Sequence, residues 1–436
     1  MSAACETAGS SLAVHGHTRL GVRIMETLLR GYRGAMGFRL WNTVEQQLGN
    51  GPPAFTFVVN DPQVLRQLVI RRSPLLLADA YIRGLIDFEG DLYAALGLKP
   101  HFQALALNLR EAGGLLFDAL RLPGREASAP DLNDGRGFRH HHSRTSDRRA
   151  IAFHYDVSND FYRLWLDEQM VYSCAVFNAP EDTLDQAQRN KLDLICRKLR
   201  LQAGERLLDI GCGWGALVCW AARHYGARAH GITLSQRQLE VARERIAREG
   251  LADLVTVELR DYRDLPEGVV YDKVASVGMF EHVGLANLPT YNATVHRLLR
   301  PGGLFLNHGI TRDEEGWKKT EETEFINRYV FPDAALDMVG NIQRGMERAG
   351  FEIHDVEGLR MHYAMTLRQW VERLEAAHPQ AAELVGEARY RVWRLYMAAC
   401  AVQFEDGAIG IHQILASRRG GAGYPVPLTR SDLYRQ

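Results

Sequence analysis

The chain has 436 residues, of which 46% are hydrophobic and 24% are charged, so it is long enough for two domains with large cores. Its 52 Lys and Arg residues nearly balance its 53 Asp and Glu residues, which argues against a general nucleic-acid-binding protein. The six cysteines show neither a CxxC pair nor metal-ligand spacing, so the sequence predicts reduced thiols, no metal site and a cytoplasmic location.

Residues 1–122 are predicted to form a small, mainly helical domain. A strand-like stretch, AFTFVVND, precedes VLRQLVIRR, YIRGLIDFEGDLYAALGL and FQALALNLREAGGLLFDALRL, in which apolar residues recur at helical spacing. The sequence predicts neither a signal peptide nor a membrane span, so a lipid would be reached from the inner face of the membrane, as by a peripheral protein. Because its helices look amphipathic, this domain is predicted to dock on a membrane or to mediate a homodimer.

Residues 123–149 are predicted to be a polar linker, since they contain Gly, Pro, Ser and charge throughout and almost no apolar side chain. The linker includes the triplet His140–His142, which could suggest a metal site. No Cys or carboxylate stands at ligand spacing there, so a solvated loop is the favoured interpretation.

Residues 150–436 alternate strands with helices, which is typical of an α/β fold with a doubly wound sheet. The predicted strands are ERLLDIG, RAHGITL, VTVELRD, YDKVASVGM, GGLFLNHGI, FEIHDVEGL and AIGIHQILA. A long helical-looking segment separates the last two strands. It is too long for a simple hairpin loop, so it is predicted to cap a site as a lid.

The first of these strands leads into the glycine-rich turn of LLDIGCGWG, residues 207–215. Glycines there permit a tight turn and a close approach of a ligand to the backbone, although they could also serve only helix–strand packing. A nicotinamide site would need a carboxylate about twenty residues further on, but that position reads GITLSQRQ, which has none. Asp209, before the first glycine, is well placed for the amino group of an amino-acid-like ligand. The pattern favours S-adenosylmethionine over NAD.

Several further stretches form a specific pattern between Ile151 and about Arg418. They are HYDVSNDFYRLWLDEQMVYSCAVF, LLDIGCGWGALVCWAA, GITLSQRQLE, RDYRDL, MFEHVG, NHGI, INRYVFP, YAMTLRQW and AACAVQF. In this pattern the chain resembles the cyclopropane-fatty-acyl-phospholipid synthases and their relatives, the mycolic acid cyclopropane synthases. AYIRGLIDFEGDL resembles the small N-terminal domain of the bacterial enzymes. The resemblance implies a seven-stranded, Rossmann-like methyltransferase fold that uses S-adenosylmethionine.

The resemblance also implies which residues bind this co-substrate, in addition to Asp209. They are Tyr172 and Ser173 as a cover, Gly211 and Gly213 along the methionine portion, Thr233 and Gln238 at the ribose, and Asp261 and Tyr262 beside the adenine.

The stretch SVGMFEHVG carries an acid, Glu281, at the end of an apolar strand, and His308 ends the next strand. Because ligands of such sheets bind outside the carboxyl ends of the strands, both side chains are predicted to face one crevice, and His282 is expected to be structural. The resemblance implies that a bound bicarbonate acts there as the base. Its implied ligands are Glu281, His308 and Tyr363 with backbone groups of Cys174 and Ile310. Cys400, in AACAVQF, is a minor candidate, since a buried inert thiol is the default.

The reaction that the resemblance implies is methylene transfer from S-adenosylmethionine to a cis double bond of an unsaturated phospholipid acyl chain. The product would be a cyclopropane fatty acid, formed through a carbocation that aromatic faces such as Phe280 or Tyr329 could stabilise. Methyl branching of a lipid, methylation of a small amine and a lipid-binding protein without turnover are the alternatives.

Overall fold

The computed structural model describes residues 3–41, 44–124, 157–316, 320–331, 335–421 and 423–434, without the side chains of residues 3–15, 322 and 434. Nearly all of the predicted linker lies outside the described residues, as do His140–His142 and the start of the motif HYDVSNDF. The chain divides into two compact units. Unit 1 comprises Met1–Asp134, Thr320–Phe325 and Gly386–Ala399, and unit 2 comprises Gly135–Lys319, Ile326–Val385 and Cys400–Gln436.

Unit 1 is mainly helical, as predicted, and also contains a four-stranded sheet of which the sequence predicted one strand. Its elements before residue 124 are α1 (Ala3–Leu28), β1 (Met36–Leu40), β2 (Glu45–Leu48), β3 (Phe55–Val59), α2 (Pro62–Arg71), α3 (Pro74–Ile82), β4 (Ile86–Gly90), α4 (Leu92–Leu96), α5 (Leu98–Ala104) and α6 (Leu109–Leu120). The sheet order is β2-β1-β3-β4. Side chains of Asp61, Ser73, Asp91 and Asn108 cap four of the helices by accepting backbone N–H groups.

Two later segments of the chain complete unit 1. Glu321 accepts hydrogen bonds from the Ser73 hydroxyl at 2.6 Å and from the backbone N–H of Leu75 at 3.1 Å. Arg391 forms an ion pair with Asp87 at 2.7 Å. The core of this unit therefore uses residues from three separate parts of the sequence.

The remaining elements form unit 2, except that α12 and α16 also supply residues to unit 1. They are α7 (Asn159–Arg163), α8 (Leu184–Lys198), β5 (Arg206–Ile210), α9 (Ala216–Tyr225), β6 (Arg228–Thr233), α10 (Gln236–Arg248), β7 (Val255–Leu259), β8 (Tyr271–Val277), α11 (Leu288–Leu298), β9 (Leu299–Arg312), α12 (Glu321–Tyr329), α13 (Val339–Arg348), β10 (Phe351–Gly358), α14 (Arg360–Ala376), α15 (His378–Val385), α16 (Glu387–Asp406), β11 (Ile409–Arg418) and α17 (Ser431–Tyr434). All seven predicted strands are confirmed, and the predicted insertion between the last two forms α14 to α16.

The seven-stranded sheet has the order β10-β11-β9-β8-β5-β6-β7, which confirms the predicted fold class. Strands β5 to β9 are parallel, whereas β11 is antiparallel to β9 and to β10. The strand order reverses between β5 and β8, and a crevice for ligands is expected outside their carboxyl ends. Leu207 and Leu208 pack into hydrophobic clusters on opposite faces, so helices cover the sheet on both sides. Among the described residues, no helix is both long and apolar enough to cross a membrane.

Candidate active site

The turn after β5 consists of glycines in a conformation that other residues rarely adopt. Gly211, Gly213 and Gly215 have φ angles of 83°, 54° and 82°, in the left-handed region. The Gly211 backbone N–H donates to the Ile232 carbonyl at 2.9 Å, which ties the turn to β6. A Cβ on Gly215 would lie 3.1 Å from Ala242, whereas a Cβ on Gly213 would meet nothing within 4 Å. Gly215 thus serves packing, and the Gly213 backbone borders open space.

A cavity opens beside this turn, outside the carboxyl ends of β5, β6 and β8. The residues predicted to bind S-adenosylmethionine all line it: Tyr172, Ser173, Asp209, Gly211, Gly213, Thr233, Gln238, Asp261 and Tyr262. The Thr233 hydroxyl donates to Gln238 Oε1 at 2.7 Å, which joins the two residues predicted at the ribose. The fold therefore brings candidates from four separate sequence motifs to one place.

Asp209 presents an unused acceptor to this cavity. Its side chain is 2% exposed, and its Oδ1 has no hydrogen-bond partner among the described residues. Burial raises the pKa of the Asp209 carboxyl to about 7, although the positive charge of Lys191 opposes this shift. An ammonium group of a ligand would supply the missing partner.

Lys191, which the sequence reasoning missed, is a buried cation in the same cavity. Its Nζ donates to Ser173 Oγ at 2.9 Å, and burial lowers its pKa to about 8 despite the charges of Asp167 and Asp209. The stretch KLDLICRK gave no signal for it, because it also contains Asp193, Arg197 and Lys198. Lys191 and Asp209 together can bind the two opposite charges of an amino-acid moiety.

Asp261, predicted beside the adenine, is held in a local ion pair. Its carboxylate accepts hydrogen bonds from the Arg263 backbone N–H at 2.9 Å and from the Arg263 guanidinium at 2.6 and 2.8 Å. The neighbouring Tyr262 ring meets the Tyr291 ring edge-on, with their centroids 5.5 Å apart. Both side chains therefore have fixed positions in the cavity wall.

Tyr172 belongs to an aromatic wall of the cavity. Its ring centroid lies 5.2 Å from that of Trp370 and 5.4 Å from that of Trp165, and both tryptophans are buried. Trp370 stands on α14, in the helical insertion that the sequence predicted as a lid. The insertion therefore packs directly against a residue that lines the cavity, which it shields from water on this side.

Glu281 lies in a short 3-10 turn, Phe280–His282, just after β8. Its Oε1 accepts the backbone N–H of Ile310 at 2.7 Å, which ties the carboxylate to β9. Its Oε2 has no hydrogen-bond partner within the described parts of the chain. Burial raises the pKa of the Glu281 carboxyl to about 7. Glu281 does not line the cavity, but Met279 and His282 on either side of it do.

His308 lies on β9, with Val277 of β8 and Gln413 of β11 as its neighbours across the sheet. The ring is fully buried, and its Nδ1 lies 3.1 Å from Gln413 Nε2. Its Nε2, in contrast, meets no hydrogen-bond partner among the residues that the structure describes. Burial lowers the pKa of His308 well below its usual value, so the ring is neutral. Glu281 and His308 thus place two unpaired polar atoms beside the same stretch of β9.

Tyr363 and Cys174 meet at the carbonyl group of Leu359. The Tyr363 backbone N–H donates to this carbonyl at 3.1 Å, and the Cys174 thiol lies 3.8 Å from it. The Leu359 N–H in turn donates to Ile411, which pairs with Ile310 across β9 and β11. These contacts connect Tyr363 and Cys174 with Ile310, whose N–H donates to Glu281.

Comparison with known proteins identifies the family. Residues 142–414 match the sequence model described as "Mycolic acid cyclopropane synthetase". The chain belongs to the mycolic acid cyclopropane synthetase family. It is a methyltransferase that depends on S-adenosylmethionine.

Relatives in the family share much of the chain. A "Probable fatty acid methyltransferase" of Pseudomonas putida is 44% identical over 400 residues, which cover 91% of this chain and 95% of the relative. The "Cyclopropane-fatty-acyl-phospholipid synthase" of Escherichia coli K12 is 42% identical over 267 residues, covering 61% of this chain and 66% of the relative. The crystal structure of mycolic acid cyclopropane synthase CmaA1 complexed with SAH and CTAB is 33% identical, with a TM-score of 0.59. It covers 62% of this chain and 98% of that chain.

The cavity fits the methyl donor that the family uses. Asp209 offers an acceptor for its ammonium group, Lys191 a cation for its carboxylate, and Gly213 a backbone without a side chain in the way. These three features are observed in the structure of this chain and do not depend on the comparison with relatives.

One residue differs from its expected place, and a second, Cys400, is buried as expected. His282, which the sequence favoured as structural, lines the cavity and packs against the Phe331 ring at a centroid distance of 5.1 Å. Cys400 is buried on α16, one turn before Phe404, whose ring lies 4.8 Å from that of Tyr363. A role of the Cys400 thiol itself stays a prediction.

Proposed function

We propose that the protein transfers a methylene group from S-adenosylmethionine to a cis double bond of an unsaturated phospholipid acyl chain, giving a cyclopropane fatty acid. The observation that carries this proposal is the pair of buried, unpaired polar atoms Glu281 Oε2 and His308 Nε2. Glu281 lies between Met279 and His282, which line the methyl-donor cavity, and His308 pairs across the sheet with Val277, which also lines it. Simple methyl transfer requires no base for the transferred methyl, whereas ring closure does. The named activity of the Escherichia coli relative supports the same reaction.

The chemistry has two steps. The electron pair of the double bond attacks the methyl carbon of S-adenosylmethionine, so a carbon–carbon bond forms while the bond to sulfur breaks and S-adenosylhomocysteine leaves. The acyl chain then carries a carbocation. Loss of one proton from the transferred methyl lets the electrons of that C–H bond close the ring.

The residues of the site have distinct roles in this proposal. Asp209 and Lys191 bind the amino-acid portion of S-adenosylmethionine and so orient its methyl group. The wall of Tyr172 and Trp370 excludes water, which would otherwise capture the carbocation. Phe280 is buried beside Glu281. A Cβ at position 309 would lie 2.1 Å from its ring, so only a glycine there leaves room for the Phe280 side chain.

We propose that bicarbonate binds beside Glu281 Oε2 and His308 Nε2, since it can accept a hydrogen bond from an imidazole N–H and donate one to a carboxylate. When bound, this anion would supply a base in an apolar site. Glu281, His308 and Tyr363 would hold it with the backbone of Cys174. The Ile310 N–H already donates to Glu281 at 2.7 Å, so its part here is to orient that carboxylate. Because the Glu281 pKa is about 7, this residue can share a proton with a second anion.

Product analysis tests the proposed function. In a host that makes unsaturated phospholipids but no cyclopropane lipids, expression of the protein is expected to add the mass of one CH₂ group per modified acyl chain. The olefinic signals in the NMR spectrum of the lipids should disappear in proportion, and an inactive Glu281→Gln variant serves as the control. Retained unsaturation, or a methyl branch with two further hydrogens, would show that the protein makes another product.

We propose further that unit 1 docks on an anionic membrane surface through one face of α6. Leu109, Leu116, Phe117 and Leu120 are exposed on this face, Leu109 to 94% and Phe117 to 58%. Arg110 and Arg121 flank the apolar residues, and the Arg121 guanidinium lies 4.7 Å from the centre of the Phe117 ring. An exposed apolar face with a basic margin is the pattern of a helix that lies in a membrane interface.

The double variant Leu116→Glu/Phe117→Glu is expected to bind vesicles that contain anionic phospholipid at least roughly tenfold more weakly, since each apolar side chain buried in lipid contributes about 1.5–3 kcal/mol. Vesicle flotation measures this affinity. Leu428→Glu, at a residue that is 96% exposed in unit 2, is the control and should bind as the wild type does. Unchanged flotation of the double variant would refute the docking proposal, and a change in its molecular mass by light scattering would indicate a homodimer face instead.

A further inference from the structure

A row of buried polar side chains reaches His308 from the side opposite its unpaired nitrogen. Lys198 on α8 donates hydrogen bonds to Glu357 on β10 and to Gln413 Oε1 on β11, the latter at 2.7 Å. Gln413 Nε2 lies 3.1 Å from His308 Nδ1. Lys198, Gln413 and His308 are all buried. No motif of the sequence pointed to Lys198 or Gln413.

The chemistry of this row determines the direction of each hydrogen bond. A lysine ammonium only donates, so the Gln413 side chain must turn its carbonyl oxygen toward Lys198. The amide NH₂ group of Gln413 then faces His308 and donates to its Nδ1. An accepting Nδ1 carries no proton, and the single proton of the neutral ring is therefore on Nε2.

The surroundings of His308 also oppose a second proton on the ring. In an imidazolium, the N–H at Nδ1 would point at the amide NH₂ group of Gln413, so two hydrogen-bond donors would face each other. The ring is fully buried, and the positive charges near it are those of Lys191 and Lys198 on α8, while His412 neighbours it on β11. These features favour the neutral imidazole.

We propose that Lys198 and Gln413 are positioning residues that fix His308 as a neutral imidazole with its proton on Nε2. His308 then donates a hydrogen bond to the ligand of the site and cannot accept a proton there. In the ring-closing reaction, on which this consequence rests, the proton lost from the transferred methyl must go to another base, either Glu281 or an anion that Glu281 and His308 orient. The assignment of the proton to Nε2 does not itself depend on the reaction.

Nitrogen NMR of the full-length protein labelled with ¹⁵N-histidine tests the proposal directly. The His308 signals are identified by their loss in a His308→Gln variant. In the wild type, without substrate, Nε2 is expected to show the signal of a protonated ring nitrogen and Nδ1 that of an unprotonated one. A wild-type His308 with its proton on Nδ1, or a doubly protonated ring at neutral pH, would overturn the proposal without any further variant.

The Gln413→Glu variant reverses the arrangement, because a carboxylate accepts hydrogen bonds from both Lys198 and His308. The proton of His308 is expected to move to Nδ1, and kcat to fall by up to about 10⁴-fold, the loss known for a catalytic histidine held in the wrong tautomer. The KM for S-adenosylmethionine should stay nearly constant. The same tautomer in Gln413→Glu as in the wild type would contradict the role of Gln413.

The neighbouring histidine offers a matched control. The Thr311 hydroxyl lies 3.0 Å from His412 Nδ1, and Thr311 is as buried as Gln413. Thr311→Val removes a buried partner of a histidine one residue away from Gln413, yet it should leave the His308 signals unchanged. Altered His308 signals in Thr311→Val would mean that any repacking of β9 and β11 moves the proton, and would argue against a specific role of Gln413. A correct tautomer combined with a product other than a cyclopropane would refute the proposed function alone.

Discussion

Replacing Glu281 by Gln is expected to lower kcat by roughly 10²- to 10⁴-fold, the range for loss of a group that takes part in proton transfer. The amide of the variant can still accept the Ile310 N–H through its oxygen, so the turn Phe280–His282 keeps its position. What the variant loses is the charge, and with it the ability to hold a proton that leaves the transferred methyl. Single-turnover measurements with S-adenosylmethionine and phospholipid vesicles report this step.

The same variant is expected to be more stable than the wild type above about pH 7. The pKa of Glu281 is raised by burial to about 7 in the folded protein, whereas its ordinary value is 4.5. Between these two values the folded state holds more protons than the unfolded state, so the free energy of unfolding of the wild type falls as the pH rises. The full penalty, on the order of 3 kcal/mol, is present above pH 7 and absent below about pH 4.5. The neutral amide of the Glu281→Gln variant carries no such penalty.

Denaturation of both proteins between pH 5 and pH 8 measures this effect, and the stability difference should grow across that interval. Glu267→Gln, at an exposed carboxylate of unit 2, is the control and should change neither kcat nor stability. An inactive Glu281→Gln protein that is also less stable at pH 8 would point to a structural role for Glu281. Unchanged activity would remove Glu281 from the proposed reaction.

Replacing Asp209 by Asn is expected to weaken the binding of S-adenosylmethionine by roughly 30- to 1000-fold, since loss of one partner of a buried charge pair commonly costs about 2–4 kcal/mol. The ionised carboxylate is the form that binds an ammonium group. Because the pKa of Asp209 is about 7, the affinity of the wild type for the ligand should fall as the pH drops below 7. The affinity of Asp209→Asn should not follow the pH in this way. Isothermal titration calorimetry measures both proteins.

Methylthioadenosine, which contains the nucleoside but lacks the amino-acid portion, is the matched control for this measurement. Its affinity should be nearly the same for wild type and Asp209→Asn, so the variant acts only on the part of the ligand that Asp209 contacts. Equal weakening of both ligands would show instead that the substitution disturbs the whole cavity.

The sheet of unit 2 was predictable because strand-like stretches rich in Val, Ile, Leu and Phe alternate with helical segments. The short strands of unit 1 were not. The residues EQQL of β2 are polar and partly exposed, and β4 lies within a stretch that repeats apolar residues at helical spacing. The predicted extent of the N-terminal domain, residues 1–122, stays a prediction. In the structure, two segments near residues 320 and 390 also belong to unit 1, through contacts that no local sequence pattern indicates.

The residues at the ends of the strands were predictable for a different reason. Asp209 lies near the end of an apolar strand, the glycine turn and Glu281 follow such strands, and parallel strands bring their carboxyl ends together. Lys191 and Lys198 were missed because a lysine in an amphipathic helix ordinarily lies at the surface. Their burial depends on partners far away in the sequence, Asp209 for Lys191 and Gln413 for Lys198.

The return of two later segments to unit 1 has a consequence for dissecting the protein. A fragment that starts after the linker would keep Arg391 and lose Asp87, and it would uncover Leu395, which belongs to the hydrophobic core of unit 1. Such a fragment would expose apolar surface and an unpaired guanidinium to solvent, and it would therefore be prone to self-association. Poor lipid modification by an amino-terminal deletion would therefore reflect a damaged fold as readily as a missing membrane anchor. Point substitutions on α6 therefore test membrane docking more specifically than a deletion does.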